Sequence, residues 1–346
     1  MANDAADIGQ VRVAHDARGR RTTFEELEIG KDLGTAEYFV TQSQIDQTCF
    51  RLGDLHPYFQ LNSPFGGTVA PVYMSYKLTR VLFSQTYSVR GLFYKWGFEF
   101  FRPIKVDVKH TVQAVLTEKW IKNDREFVAY ESVCKDDQGN VVFKTRRAHV
   151  LDFIKRTAPK VGVGIDSPSA RTPEGKAASE LYWDPNWIND SAAGIGTIEV
   201  EPLATLDTGV GAALPQFACH FNQAEFDKRW GWTRVREGAN TTLHYDHGAA
   251  RAEGLKAPIA GGPDVIALIL CSALHFFGKN WVSGAKGDLT VARPTFLGDY
   301  VVSKGRVIAR ELLPDGSARL SCEVWVEGHG GDRKITGTLS GIVSAA

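Results

Sequence analysis

The chain has 346 residues, of which 43% are hydrophobic and 23% are charged. This composition is typical of folded globular proteins, and the length suits two domains of about 150 residues each. The 40 basic side chains are balanced by 40 acidic ones, so no net positive charge favours nucleic acid or an anionic membrane surface as a partner.

The N-terminal residues do not predict export, because Asp4 and Asp7 interrupt the stretch where a signal peptide needs an apolar core. The longest apolar run covers only residues 265–271, which is too short to cross a membrane. Five scattered cysteines without a CxxC motif are typical of reduced thiols. We therefore expect a cytoplasmic protein.

The first half predicts a short helix, a longer helix and then a meander of strands. Thr41 is a suitable N-cap for the short helix, and glycines at 66–67 precede the longer helical stretch at 72–83. From residue 108, apolar and polar side chains alternate with the period of a β-strand, and a turn signal at 137–140 interrupts them. This pattern predicts antiparallel strands.

The middle of the chain predicts a linker. Residues 156–205 are rich in Pro, Gly, Ser and Ala and show no sustained periodicity. We expect a first unit over residues 1–155, a linker over 156–205 and a second unit over 206–346.

The second half repeats the order of the first. Asn222 is again suited to cap a short helix, and a turn signal at 314–316 again separates two alternating stretches. Ala70 and Ala260 lie 190 residues apart, while the Arg-Pro pairs that begin at Arg102 and Arg293 lie 191 apart. Landmarks that keep one spacing indicate a duplicated unit.

The long helix predicted for residues 264–277 is apolar nearly all round, so other elements must cover most of its surface. Curved antiparallel strands rolled around such a helix would bury it. We therefore predict an α+β chain with two antiparallel curved sheets, each wrapped around a long central helix, and with the two units paired edge to edge.

Two phrases resemble the MaoC-like hydratases and dehydratases, which include the R-specific enoyl-CoA hydratases. The second half carries Leu243-His244-Tyr245-Asp246, and then a glycine-ended Pro-Ile-Ala phrase at 258–262. The first half carries Gly53-Asp54-Leu55-His56-Pro57, followed by a related glycine phrase at 65–71. The resemblance covers both halves and implies a tandem double hot-dog fold that acts on a coenzyme A thioester.

The chain departs from the family at the catalytic pair. In the family an Asp stands five residues before the His of the same loop. Here the position five residues before His244 is Ala239, and the position five residues after Asp54 is Phe59. Neither half has the complete pair. One site that both halves share is therefore our hypothesis, with Asp54 or Asp264 as the second acid.

The chemistry of hydration assigns roles to the remaining candidates. His244 would move protons near neutral pH, and Asp246, two residues further on, would orient its ring. The amides of Gly261 and Gly262 would meet the thioester oxygen at the positive end of the long helix. Further substrate contacts are expected from Ala260, Tyr245 and His56, and contacts with the coenzyme A phosphates from Lys77, Arg80, Arg90 and Lys95.

Each of these features also has a purely structural interpretation. His244 and Asp246 could form a solvated loop pair, and Asp54 with His56 an ordinary turn before Pro57. Asp264 lies where an acid complements the helix dipole, and the basic side chains could line a solvated helix face. No motif predicts a metal or a separate cofactor, because coenzyme A is part of the substrate.

Three functions remain open at this stage. The first is a lyase that hydrates a 2-enoyl-CoA or dehydrates a 3-hydroxyacyl-CoA. The second is a hot-dog thioesterase, for which Asp264 is the one available carboxylate on the long helix. The third is a protein that binds acyl-CoA without catalysis. A further homodimer is compatible with each of them.

Overall fold

The computed structural model describes residues 20–21, 23–88, 92–151, 200–236, 243–252 and 254–344. Most of the linker predicted for 156–205 lies outside these ranges, as do Arg90 and Ala239. The predicted unit boundaries therefore stay predictions.

The described residues of the first unit form seven strands and two α-helices. In chain order they are β1 (Arg20–Arg21), β2 (Asp32–Phe39), α1 (Gln42–Leu52), α2 (Met74–Thr86), β3 (Tyr87–Ser88), β4 (Leu92–Phe100), β5 (Lys109–Lys122), β6 (Arg125–Lys135) and β7 (Val141–Val150). Thr41 caps α1 as predicted, since its side chain accepts from the Gln44 amide in a capping box. The predicted turn at 137–140 joins β6 to β7, and Asp136 accepts hydrogen bonds from two of its backbone amides.

The second unit follows the same plan. Its elements are β8 (Ala218–His220), α3 (Gln223–Arg236), α4 (His247–Ala252), α5 (Gly262–Phe277), α6 (Lys279–Gly284), β9 (Lys286–Val291), β10 (Tyr300–Leu312), β11 (Ala318–Glu327) and β12 (Arg333–Val343). Asn222 caps α3 as predicted, because its side-chain oxygen accepts from the Glu225 amide at 3.0 Å.

Matching hydrogen bonds confirm the repeat. The Ala70 amide donates to the Ile104 carbonyl at 2.8 Å, and the Ala260 amide donates to the Thr295 carbonyl at 2.8 Å. Each bond fastens the segment before a long helix to the segment that follows an Arg-Pro pair. The duplicated sequence therefore builds the same local structure twice.

Ten of the described strands form one sheet, in the order β2-β5-β6-β7-β4-β9-β12-β11-β10-β8. The prediction of two sheets is corrected here, because β4 pairs with β9 antiparallel, with Trp96 opposite Leu289 and Gly97 opposite Asp288. Each unit would otherwise leave an unpaired edge at this position. Pairing the two edges satisfies their backbone groups and joins the units.

The two long helices lie against the strands of their own units. α2 contacts β2, β5 and β7, while α5 contacts β10, β11 and β12 and also reaches β4 of the first unit. In α5 nearly every side chain is buried, which explains why its sequence has no polar face. Among the described helices, none combines the length and apolar character needed to cross a membrane.

Candidate active site

His244 lies in the short loop before α4, and its ring is anchored at one nitrogen. Nδ1 is 2.8 Å from the Ile259 carbonyl oxygen. Because a carbonyl can only accept a hydrogen bond, Nδ1 must carry the hydrogen. In the neutral ring the lone pair is therefore on Nε2, the nitrogen that can take a proton.

The surroundings of His244 keep the ring neutral. Burial lowers its pKa below the ordinary value of 6.5, and the positive charge of Arg80 lowers it further. The Ile259 carbonyl and the Asp264 carboxylate oppose this shift without cancelling it. At neutral pH His244 is therefore in the form that acts as a base.

Asp264 stands in the first turn of α5 and is only 2% exposed. Its Oδ1 accepts a hydrogen bond from the Tyr73 hydroxyl at 2.9 Å and one from Arg51 Nη2 at 3.3 Å. Arg51 also donates to the Tyr73 hydroxyl, at 2.5 Å. These three side chains join the two units beside His244, and they commit the carboxylate to an ion pair.

Asp54 and His56 do not lie with His244. Asp54 is buried within hydrogen-bonding reach of the Cys271 thiol, and burial raises its pKa. Since Cys271 follows Asp264 by seven residues, Asp54 lies about 10 Å further along α5. Of the two acids offered for a shared site, the structure thus brings Asp264 to His244 and leaves Asp54 two turns away.

His56 has a structural role in this loop. Its Nδ1 accepts from the Tyr58 amide at 3.3 Å and caps a short 3-10 helix, Pro57–Phe59. Its ring centroid lies 5.2 Å from that of His275, and burial lowers its pKa to about 4. His56 thus stabilises its own loop, and the substrate contact expected from it stays a prediction.

Ala260, Gly261 and Gly262 stand at the start of α5, and their backbone amides differ in hydrogen bonding. The Ala260 amide donates to the Thr295 carbonyl at 2.8 Å, and the substrate contact expected from Ala260 stays a prediction. Gly261 and Gly262 begin the helix, where the first amides have no partner within the helix. A Cβ on Gly262 would lie 2.9 Å from Phe93 and 2.9 Å from Val291, so close packing requires this glycine.

Asp246 and Tyr245 lie in the same loop as His244, and both are half-buried. The Asp246 carbonyl accepts from the Ala250 amide at 2.9 Å, which places Asp246 directly before α4. The contact that orients the His244 ring is made by Ile259, which sequence reasoning missed because a backbone carbonyl leaves no mark on residue type. An orienting role for Asp246 and substrate binding by Tyr245 stay predictions.

The four basic candidates separate in the structure. Lys77 donates to Thr48 at 2.7 Å, and Lys95 pairs with Asp288 at 2.8 Å. Arg80 is exposed and close enough to His244 for its charge to lower the pKa of the imidazole. Arg80 is thus the described basic candidate that belongs to the site. Across the described parts of the chain, no group of His, Cys, Asp and Glu side chains is arranged to hold a metal ion.

The fold is similar to that of solved MaoC-like proteins. A MaoC-like dehydratase aligns with a TM-score of 0.69 and 18% identity, over 93% of this chain and 100% of its own. A MaoC domain dehydratase from Chloroflexus aurantiacus J-10-fl aligns with a TM-score of 0.61 and 14% identity, over 94% of this chain and 98% of its own. No protein-family model and no curated protein sequence matches the chain.

A third similar structure is the full-length peroxisomal multifunctional enzyme type 2 from Drosophila melanogaster. It aligns with a TM-score of 0.54 and 11% identity, over 89% of this chain and 48% of its own. The chain therefore has the MaoC-like double hot-dog fold. The resemblance drawn from the sequence phrases is confirmed at the level of that fold.

Proposed function

We propose that the protein hydrates a 2-enoyl-CoA, or dehydrates the corresponding 3-hydroxyacyl-CoA. The observation that carries this proposal is the state of His244, a neutral imidazole with Nδ1 bound to Ile259 at the start of α5. The likeness to structures described as dehydratases supports the same reaction class.

In this proposal His244 handles the proton. Nε2 takes a proton from water, and the water oxygen bonds to the β-carbon of the thioester. The electron pair of the double bond moves towards the carbonyl oxygen, which the Gly261 and Gly262 amides stabilise. The proton on Nε2 then passes to the α-carbon. Asp264 stabilises the imidazolium that forms between the two transfers, since its charge favours protonated His244.

A thioesterase fits the site less well. It would need a carboxylate free to activate water, whereas Asp264 is held by Tyr73 and Arg51. The third alternative is a protein that binds acyl-CoA thioesters without catalysis. It applies if His244 transfers no proton to or from the bound thioester.

The experiment that tests this proposal compares two readouts on the purified chain. Loss of enoyl absorbance from crotonyl-CoA and bulkier enoyl-CoA thioesters measures hydration, while release of free thiol measures hydrolysis. We expect hydration without thiol release. Thiol release without hydration would replace the proposal with a thioesterase, and binding without either reaction would leave a non-catalytic protein.

A further inference from the structure

Arg147 is a fully buried arginine, and it has no acidic partner among the residues that the structure describes. It lies on β7 opposite Trp96 of β4 and Tyr130 of β6, and its exposed fraction is 0%. Its Nη1 donates to the Tyr76 carbonyl at 3.0 Å, but Nε and Nη2 have no hydrogen-bond partner. A buried charge left in this state is unfavourable unless something neutralises it.

Aromatic side chains surround this guanidinium on several sides. Its carbon lies 3.7 Å from the ring centroid of Tyr76 and 5.6 Å from those of Phe93 and Tyr130. Cation–π contacts of this kind attract the charge, but they accept no hydrogen bond in the plane of the guanidinium. The Tyr130 hydroxyl lies close enough for Arg147 to oppose the rise that burial causes in its pKa, but no anionic acceptor in the described part of the chain meets the Nε and Nη2 donors.

The cluster adjoins the candidate active site. Phe93 is the side chain that a Cβ on Gly262 would strike, and the ring centroids of Tyr76 and Tyr73 lie 6.0 Å apart. Tyr73 in turn donates to Asp264. The aromatic rings around Arg147 thus continue the surface that begins at the first turn of α5.

The charges acting on this region are positive. Burial lowers the pKa of His149, and the charges of Arg147 and Arg80 lower it further. The His149 ring stacks with those of Phe83 and Tyr130. Arg80 also acts on His244. The acid on the far side, Asp264, is already paired with Arg51. Among the residues that the structure describes, no acidic side chain therefore offsets the charge of Arg147.

The open donors specify the anion's geometry. Nε–H and one Nη2–H lie on the same edge of an arginine, where a carboxylate accepts both in parallel. The phosphates of coenzyme A are large and strongly hydrated, which suits the exposed Arg80 better than a residue that solvent does not reach.

We propose that the Nε–Nη2 edge of Arg147 binds a carboxylate at the far end of the acyl chain, so that the substrate is the mono-thioester of a dicarboxylic acid. This inference rests on the proposed function and names its substrate class. Because Tyr76 and Phe93 cover the guanidinium, the incoming carboxylate replaces part of their contact with it.

The test compares thioesters that differ only at the end of the acyl chain. Glutaconyl-CoA carries a carboxylate where trans-2-pentenoyl-CoA carries a methyl group, and longer pairs extend the same series. We expect kcat/KM for hydration to favour the carboxylate by about 10- to 100-fold at the best length, as hydrogen bonds to a charged group imply. Equal kcat/KM values at every length would overturn the inference.

Substitution of the arginine tests the residue itself. Arg147→Met should abolish the preference while the thermal midpoint is kept or raised, because the change removes a buried charge without an ionic partner. Arg147→Lys should restore part of the preference, since it keeps the charge but loses the paired donors. A preference that survives Arg147→Met would show that Arg147 serves only packing.

Arg146→Met is the matched control. Arg146 is the neighbour on the same strand, and it pairs with Glu118 at 2.6 Å on the more exposed face. This variant loses the same charge and should leave the preference unchanged. A loss equal to that of Arg147→Met would mean that net charge, not the buried edge, selects the substrate.

Binding of unreactive thioesters separates this inference from the proposed function. Calorimetry with glutaryl-CoA and pentanoyl-CoA measures the preference without any reaction. If no enoyl-CoA is hydrated but glutaryl-CoA binds more tightly through Arg147, the function fails and the inference stands. If pentenoyl-CoA and glutaconyl-CoA are hydrated with equal kcat/KM, the inference fails and the proposed function stands.

Discussion

Arg51→Met tests the side-chain network that joins the two units beside His244. The substitution removes the cationic partner of Asp264, whose carboxylate is 2% exposed, while Arg51 itself is 20% exposed. Breaking a buried pair costs about 3–5 kcal/mol, and the partial exposure of Arg51 places the expected loss near the lower end, about 3 kcal/mol. With an unfolding entropy of about 0.7 kcal/mol/K for a chain of 346 residues, the thermal midpoint should fall by about 4 °C.

Calorimetric melting of three further variants completes this test. Arg319→Met is the control, because Arg319 pairs with Glu311 at 3.0 Å on the surface, where such pairs contribute about 1 kcal/mol or less. Asp264→Asn combined with Arg51→Met should recover much of the lost stability, since no buried charge is then left without its partner. An Arg51→Met shift no larger than that of Arg319→Met, or additive losses in the double variant, would refute the network.

The remaining predictions use three other features of the structure. Gly262→Ala should destabilise the fold by about 1–3 kcal/mol by pressing on Phe93 and Val291, whereas Gly284→Ala, with open space around its Cβ position, should change the thermal midpoint little. Asp54→Asn should leave hydration unchanged and raise the thermal midpoint at neutral pH, because burial raises the folded-state pKa of Asp54 and its charged form destabilises the fold. Below the ordinary carboxyl pKa, where Asp54 is protonated in both the folded and the unfolded chain, the two thermal midpoints should be equal. Hydration should be constant above the pKa of His244 and fall tenfold per pH unit below it, at a pH under 6.5, and Arg80→Gln should move that fall to higher pH.

Local features of the sequence predicted local features of the fold. The caps at Thr41 and Asn222 and the turn at 137–140 depend on a few neighbouring residues, whose hydrogen-bonding groups act within one turn. The start of α5 at Gly262 follows from the glycine phrase and the apolar run after it. The repeat was visible because duplicated units keep the spacing of such local signals.

Long-range pairing was beyond the sequence. No residue pattern in β4 or β9 indicates that the two strands pair. The sequence therefore predicted two sheets, whereas the structure has one. The Arg51–Asp264 pair joins positions 213 residues apart, and no periodicity connects them. In the sequence, Arg147 is a polar residue of a strand and nothing predicts that it is buried. Its burial is set by the packing of the sheet. Asp54 matched a sequence phrase, but its loop faces Cys271 instead of His244.

The most direct test of the account measures hydration by His244→Ala on the best enoyl-CoA found for the unaltered chain. A positioned proton-transfer group contributes about 10²–10⁴-fold, so kcat/KM should fall by that order while the thermal midpoint stays within about 1 °C of the unaltered value. His329→Ala, at an exposed histidine near the start of β12, should retain full activity. Normal hydration by His244→Ala would contradict the assignment of His244 as the group that moves the proton.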